Sequence, residues 1–192
     1  MNESTSPRRF SHECFLAVGI VLTIVASRLV IDLPNFKPVM AIALFSGFLF
    51  QRQVLGAFAI TLGMLLADSL VGFYEWQVAI VVYGALLTPI MGGWALRRWQ
   101  NHGYKLATGI IGFSGLAAFN FYLLTTLAVW AFTSWYPTTW AGLGTAFAMG
   151  LPFVKWTLMG NTVFAILIFG GWSLVKEMNF LPAKQTARVR RR

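Results

Sequence analysis

The sequence predicts an all-α, polytopic integral membrane protein: a six-helix transmembrane bundle with both termini in the cytoplasm. Three observations lead there. First, 57% of its 192 residues are hydrophobic and 11% charged, with a mean hydropathy of +0.67, which leaves too little polar surface to coat a soluble globule. Second, apolar runs suited to helical spans recur at 14–31, 38–50, 54–74, 76–96, 106–132 and 156–175. Third, the Lys and Arg residues sort by side. Arg8, Arg9, Arg52, Arg97, Arg98, Lys105, Lys176, Lys184, Arg188, Arg190, Arg191 and Arg192 fall on one side, and only Arg28, Lys37 and Lys155 on the other. Basic loops stay in the cytoplasm, so this partition holds both chain ends inside and requires an even number of crossings.

The first span follows Arg8 and Arg9, an arrangement that also opens secretory signals. Val25-Ala26-Ser27 is a poor small-x-small cleavage site, and loss of the segment would spoil the charge alternation downstream, so the span is read as retained. The connection from Arg28 to Pro38 carries two prolines; Pro34 and Pro38 lack backbone donors and push their predecessors out of helical geometry, giving a shaped outer loop. The second span has 13 residues. At about 1.5 Å per residue it reaches about 20 Å, short of a hydrocarbon core of about 30 Å, so neighbours must shield it or its flanks extend it. Gln51-Arg52-Gln53 forms a tight cytoplasmic hairpin.

Span three carries Ala59, Gly63 and Ala67 at four-residue spacing, a stripe that permits close helix approach, and then Asp68. Span four repeats the device with Ala85, Pro89 and Gly93 and should kink at Pro89. Span five runs uncharged from Leu106 to Thr133, about 40 Å if straight, which calls for tilt or a kink near Gly109, Gly112 and Gly115. The glycine-interrupted stretch 141–154 follows Ser134 to Trp140. A seventh crossing there would carry the C-terminal arginines outside, so 134–154 is read as an outer-leaflet or re-entrant segment. No internal repeat is evident. Residues 1–180 make one transmembrane domain, and 181–192 a basic cytoplasmic tail without structure of its own.

Little chemistry interrupts the hydrocarbon. Asp68 is the sharpest feature, an acid inside span three, where ionisation needs a partner or water. It is either a ligand or ion contact, or half of a structural ion pair with Arg28 or Lys37. Arg28 and Asp32, at i and i+4, can equally pair with each other at the interface. Asn120 and Asn161 can reach a substrate, or hydrogen-bond between helices as isolated amides in spans commonly do. Phe73, Tyr74, Trp76, Trp130, Trp135, Tyr136, Trp140 and Trp156 gather toward the outer side, where they either roof a pocket or form an interfacial belt. Met40, Met64, Met91, Met149 and Met159 read as gap-fillers.

No phosphate loop, paired-carboxylate site or metal-ligand spacing occurs, and His12, His102 and Cys14 have no catalytic partners, so an enzyme, a metal or a cofactor is not expected. The net charge of +9 lies at span ends and on the tail, a pattern for anionic lipid headgroups at the cytoplasmic face and not for nucleic acid.

The run Ser27-Arg28-Leu29 through Asn35-Phe36-Lys37-Pro38-Val39, then Ala41-Ile42-Ala43-Leu44-Phe45, resembles the signature of a family of uncharacterised bacterial membrane proteins described as transport proteins. These are similar in size and layout to the substrate-binding S components of energy-coupling-factor vitamin transporters. Leu66-Ala67-Asp68 with Gly72-Phe73, Val129-Trp130, Tyr136 through Leu143, and Leu151-Pro152-Phe153 with Thr157-Leu158 and Gly160 extend the resemblance over about 27–176. It implies an S-component-like bundle in a bacterial cytoplasmic membrane.

The chain departs from that pattern at Lys37 in place of threonine, at Thr126 in place of asparagine, at Lys155-Trp156-Thr157 in place of Arg-Asn-Thr, and at Asn161 in place of aspartate. The Ala-x-x-x-Ala coupling surface of S components has only Gly19-x-x-x-Thr23-x-x-x-Ser27 as a counterpart.

Two functions of different class follow. One is a substrate-binding membrane component for uptake of a small, partly apolar nutrient, with Arg28, Asn35, Asp68, Trp130, Tyr136, Trp140 and Asn161 as ligand-binding candidates and partner subunits supplying the energy. The other is a non-transporting structural or assembly subunit that uses the same scaffold to dock in a larger membrane complex. The first requires those side chains to converge on an enclosed pocket in the outer half; the second requires them to be spent on packing.

Overall fold

The computed structural model describes residues 7–33 and 35–189. Pro34 and Arg190, Arg191 and Arg192 lie outside the described residues, as do the side chains of Arg8, Arg9, His12, Lys184 and Arg188. Among the described residues the chain is all helical: α1 (Pro7–Val30), α2 (Val39–Leu49), α3 (Gln53–Val71), α4 (Trp76–Leu87), α5 (Pro89–Leu96), a 3₁₀ turn at Arg97–Trp99, α6 (Gly103–Phe132) and α7 (Trp140–Val189). Five stretches are long and apolar enough to cross a membrane: Glu13–Val30, Gln53–Val71, Trp76–Trp99, Gly103–Phe132 and Trp140–Glu177. The chain therefore has the make-up of a polytopic membrane protein.

The expected second span is the exception to that count. α2 has only 11 residues, and Val39 through Leu44, Ser46, Gly47 and Phe48 are all buried. It is a short post enclosed by the longer helices, the shielding its length demands. Its closest neighbour is α5. A Cβ on Gly93 would overlap the Leu44 carbonyl oxygen, and one on Gly47 the Ile90 carbonyl oxygen, so the two backbones meet only because both residues lack side chains. Arg97 Nε donates to the carbonyls of Gly47 and Phe48 at 3.0 and 2.9 Å, satisfying acceptors that the end of α2 leaves open.

Alternation of direction is visible in side-chain pairs. Arg28 near the end of α1 meets Asp68 near the end of α3, so these helices run the same way, and the Ala59-Gly63-Ala67 stripe is buried with Gly63 facing Ile24. The fourth span breaks at Thr88, where Pro89 opens α5. α6 is continuous, and Gly109 admits Leu96 and Trp99 from the α5 end. Arg97 and Trp172 both reach the end of α2, and Gln100, Asn101, Lys176 and Glu177 border one groove. The turns bearing Arg52, Arg97 and Arg98 and the lower part of α7 thus share one end of the bundle, while Arg28 and Lys37 lie at the other.

Residues 140–154 correct the sequence reading. They make no re-entrant turn and no separate segment: α7 runs unbroken from Trp140. Thr139 starts it, accepting a hydrogen bond on Oγ1 from the Gly142 amide at 3.1 Å. Gly142, Ala146 and Gly150, read as interruptions, are a small-residue stripe: Ala146 is buried, and Gly150 lets Tyr122 of α6 close in. The 38 residues of Trp140–Glu177 measure about 57 Å, whereas 156–177 alone gives about 33 Å, so the turns before Lys155 extend past a hydrocarbon core or the helix tilts. The backbone of α7 also continues through 181–189, so the expected tail begins as a prolongation of this helix.

Packing sorts the remaining candidates. Met40 and Met64 fill the core as gap-fillers should, but Met91, Met149 and Met159 are exposed. Of the Gly19, Thr23 and Ser27 series, Ser27 is buried and only the first two lie on the outer face of α1.

Candidate functional site

At the end opposite the arginine-bearing turns, the α1–α2 connection folds down onto α7. Asn35 takes a left-handed backbone conformation, φ +58°, which asparagine tolerates better than most side chains. The turn drives Phe36 against Gly160, where an added Cβ would sit 3.0 Å from the Phe36 Cα, and its ring packs on Phe164 at 5.4 Å. With Phe36 pinned, Asn35 and Lys37 on either side are held in the wall of a cavity of about 330 Å³.

Met40 and Val39 of α2, Met64 of α3, Val78, Val82 and Leu86 of α4, and Phe121 and Val129 of α6 make that cavity apolar. Arg28, Lys37, Asn35, Tyr74, Thr125, Trp135 and Thr157 supply its polar groups. A second cavity of about 150 Å³ shares Asn35, Phe121, Thr125, Val129, Trp135 and Thr157, and extends toward Tyr122, Tyr136 and Gly150. The combination of apolar walls with a few convergent polar groups is that of a small-molecule site.

Behind the wall lies a charge network. Asp68 is 0% exposed and forms an ion pair with Arg28, which is 18% exposed. The Tyr83 hydroxyl donates to Asp68 Oδ2 at 2.6 Å and the Tyr74 hydroxyl to the same atom at 3.2 Å. Three donors surround one carboxylate, which is how a charge is kept inside a bundle. Of the readings the sequence left open, the ion pair with Arg28 is the one formed. Arg28 does not pair with Asp32, because its guanidinium turns inward to the buried acid.

Lys37 has no such partner; it makes no hydrogen bond or ion pair with the described residues. Burial, then the nearby Arg28 charge, hold its amine below the ordinary lysine value, with Asp32 opposing weakly. Burial and then the Asp68 carboxylate push the Tyr74 phenol up to about 12.

The seven candidates do not all converge. Arg28 and Asn35 line the larger cavity, Asn35 and Tyr136 the smaller, and Asp68 stands behind Arg28. Trp130 instead spends its indole N–H on the Pro137 carbonyl at 3.0 Å, tying the α6–α7 turn. Trp140 is 87% exposed and faces away, as a belt residue would. Asn161 is fully buried on α7 and donates to the Ser114 carbonyl of α6 at 2.8 Å, an interhelical bond away from the cavity. Asn120 likewise bonds Thr88 at 3.1 Å.

Tyr74 and Trp135, among the outer aromatics expected to roof a pocket or form a belt, line the site. Lys37, expected only as an alternative partner of Asp68, lines it too, as do Thr125 and Thr157, and Tyr83 holds Asp68, without having been ligand candidates. Tyr83 had a signal, a lone phenol in a hydrocarbon helix. The threonines had none, since both hydroxyls bond to their own helix, to Phe121 and Phe153. Among the described residues no cluster of His, Cys, Asp or Glu could hold a metal.

The chain belongs to the Family of unknown function (DUF6580), whose model matches residues 8–185. No curated protein and no solved structure matches it.

Proposed function

We propose that this member of the DUF6580 family is the substrate-binding membrane component of an uptake system for a small, partly apolar nutrient. The observation that carries the reading is the cavity of about 330 Å³ at the bundle end that the charge partition assigns to the outside. An amphiphilic surface facing the medium suits capture before transfer. The chain has no ATP-binding motif, so energy comes from partner subunits, as in S-component systems, whose six-segment layout this one resembles with α2 as the short member. No nucleophile, base and acid stand together among the described residues, and we read the protein as non-enzymatic. Its place is a bacterial cytoplasmic membrane, with both termini inside.

Native mass spectrometry of the full chain purified in mild detergent tests the binding reading. A small molecule should be retained by the wild type and lost from Val129→Trp, which fills the cavity from α6. No retained mass, together with stable copurification in a larger complex, would assign the chain to the alternative class, a structural or assembly subunit. Sidedness is tested by replacing Cys14 and labelling single cysteines placed at Thr138 and Gln185. They should react from opposite faces, and same-face labelling ends the topology.

A further inference from the structure

We infer that the cavity selects small organic monocarboxylates, seating the anionic end on Lys37 and the apolar body between α2, α4 and α6. The inference rests on the binding reading above and adds its charge. Among the described residues no acidic side chain lines the cavity. Arg28 is already matched by Asp68, so the lining carries one cation in excess, Lys37, which has no hydrogen bond or ion pair with the described residues. Tyr74, Thr125 and Thr157 have committed their hydroxyl hydrogens to Asp68, Phe121 and Phe153. The donors left for a ligand are the Lys37 ammonium and the Asn35 amide, on either side of the pinned Phe36, with the Trp135 indole N–H and the Arg28 N–H groups not turned to Asp68.

The Tyr74, Thr125 and Thr157 oxygens and Asn35 Oδ1 can still accept. The formal charge in the lining that no contact matches is nevertheless the Lys37 ammonium, which Asp32 reaches only through space, and an acceptor with one negative charge answers it. The walls limit the choice further. Met40, Val82 and Phe121 offer nothing to solvate a second charge, so a phosphate dianion is disfavoured against a carboxylate with a hydrocarbon body. Lys37 gains as well, because the charge of a carboxylate beside it offsets the burial and the Arg28 repulsion that now press on its amine. The same anion chemistry is available from an acidic lipid headgroup, and the test separates the two sources.

Binding of 3-phenylpropanoate, 3-phenylpropanol and 3-phenylpropylamine is measured by calorimetry on the full chain in nanodiscs of phosphatidylcholine, then of phosphatidylcholine with phosphatidylglycerol. The acid should bind in both. Lys37→Met, which keeps the length of the stem, should weaken it about tenfold or more, and Lys37→Arg should restore most of it. A thermal midpoint of Lys37→Met no lower than that of wild type separates lost recognition from lost folding. Equal binding of acid, alcohol and amine overturns the carboxylate inference and leaves the binding reading standing. Failure of all three probes, with no small molecule retained by the purified chain, removes both. A Lys37-dependent response to phosphatidylglycerol without one to the acid assigns the site to lipid and overturns the inference.

Discussion

The two ends of this bundle solve opposite problems with the same kind of helix. At the arginine-bearing end, backbones touch: Gly47 and Gly93 bring α2 and α5 together, and Phe48, Leu96, Leu106, Ala165 and Phe169 close the space between them. At the other end an apolar cavity stays open beside a second packed cluster that includes Ile24, Met40, Met64 and Leu86, and Asp68 with Arg28, Tyr74 and Tyr83 adds a charge network to it. At the packed end polar groups such as Arg97 only satisfy backbone carbonyls, whereas beside the open space a buried charge network joins helices side chain to side chain. The difference teaches that a cavity in a membrane bundle needs its own reinforcement, because lipid supplies no hydrophobic drive to shut it or hold its rim.

The sharpest way to break the comparison is to enlarge a residue at each end. Gly93→Leu places a side chain where the Leu44 carbonyl stands, and no folded species should survive purification, a loss beyond about 3 kcal/mol. Gly84→Leu, where nothing lies within 4 Å, should leave the unfolding midpoint near that of wild type. If Gly93→Leu purifies as a monodisperse protein with a wild-type midpoint, the α2–α5 contact is not what holds that end.

At the cavity end, Asp68→Ala strands the Arg28 charge and two phenols, and should cost about 3 kcal/mol or more in denaturant titration. Adding Arg28→Met should return much of that loss, since the uncompensated charge, more than the missing contact, is the expense. A double variant no more stable than Asp68→Ala would place the cost in Tyr74 and Tyr83 instead.

Legibility followed the same division. Asp68 was readable because a carboxylate in hydrocarbon has to be explained, and its partner was among the two cations named for it. The Ala59-Gly63-Ala67 stripe, the shielding of α2 and the break at Pro89 were readable from spacing, length and ring chemistry. Gly142, Ala146 and Gly150 were misread because glycine marks both a break and a close approach, and only the neighbour, here Tyr122, decides which. Trp130 and Trp140 were misassigned for a related reason: an indole near an interface serves a belt, a turn or a pocket with the same residue type. The cavity itself was not legible, since Thr125, Thr157 and Val129 are ordinary span residues until α1, α4 and α7 are placed around them.

The smallest expected effect asks whether the open end bears a charge it would be better off without. Lys37 is held below the ordinary lysine value of about 10.5 by burial and by Arg28, with Asp32 opposing and Tyr74 in the same wall. Between its folded and unfolded values the unfolded chain binds more protons, so stability rises with pH across that window. The penalty is greatest on the acid side of that window and fades as pH rises through it. Lys37→Met should therefore be slightly more stable than wild type at pH 7, by about 0.5 kcal/mol or less, with the advantage shrinking as pH approaches about 10.5. Tyr74 acts the other way. Its phenol, raised to about 12, contributes stability that is complete below about pH 10 and is lost as pH climbs through 12. That contribution is common to both proteins and cancels in their difference. Paired denaturant titrations from pH 7 to 10.5 read the result, and an advantage that grows with pH would mean that Lys37 is stabilised as the ammonium in the empty cavity, leaving no unmet charge for a ligand to answer.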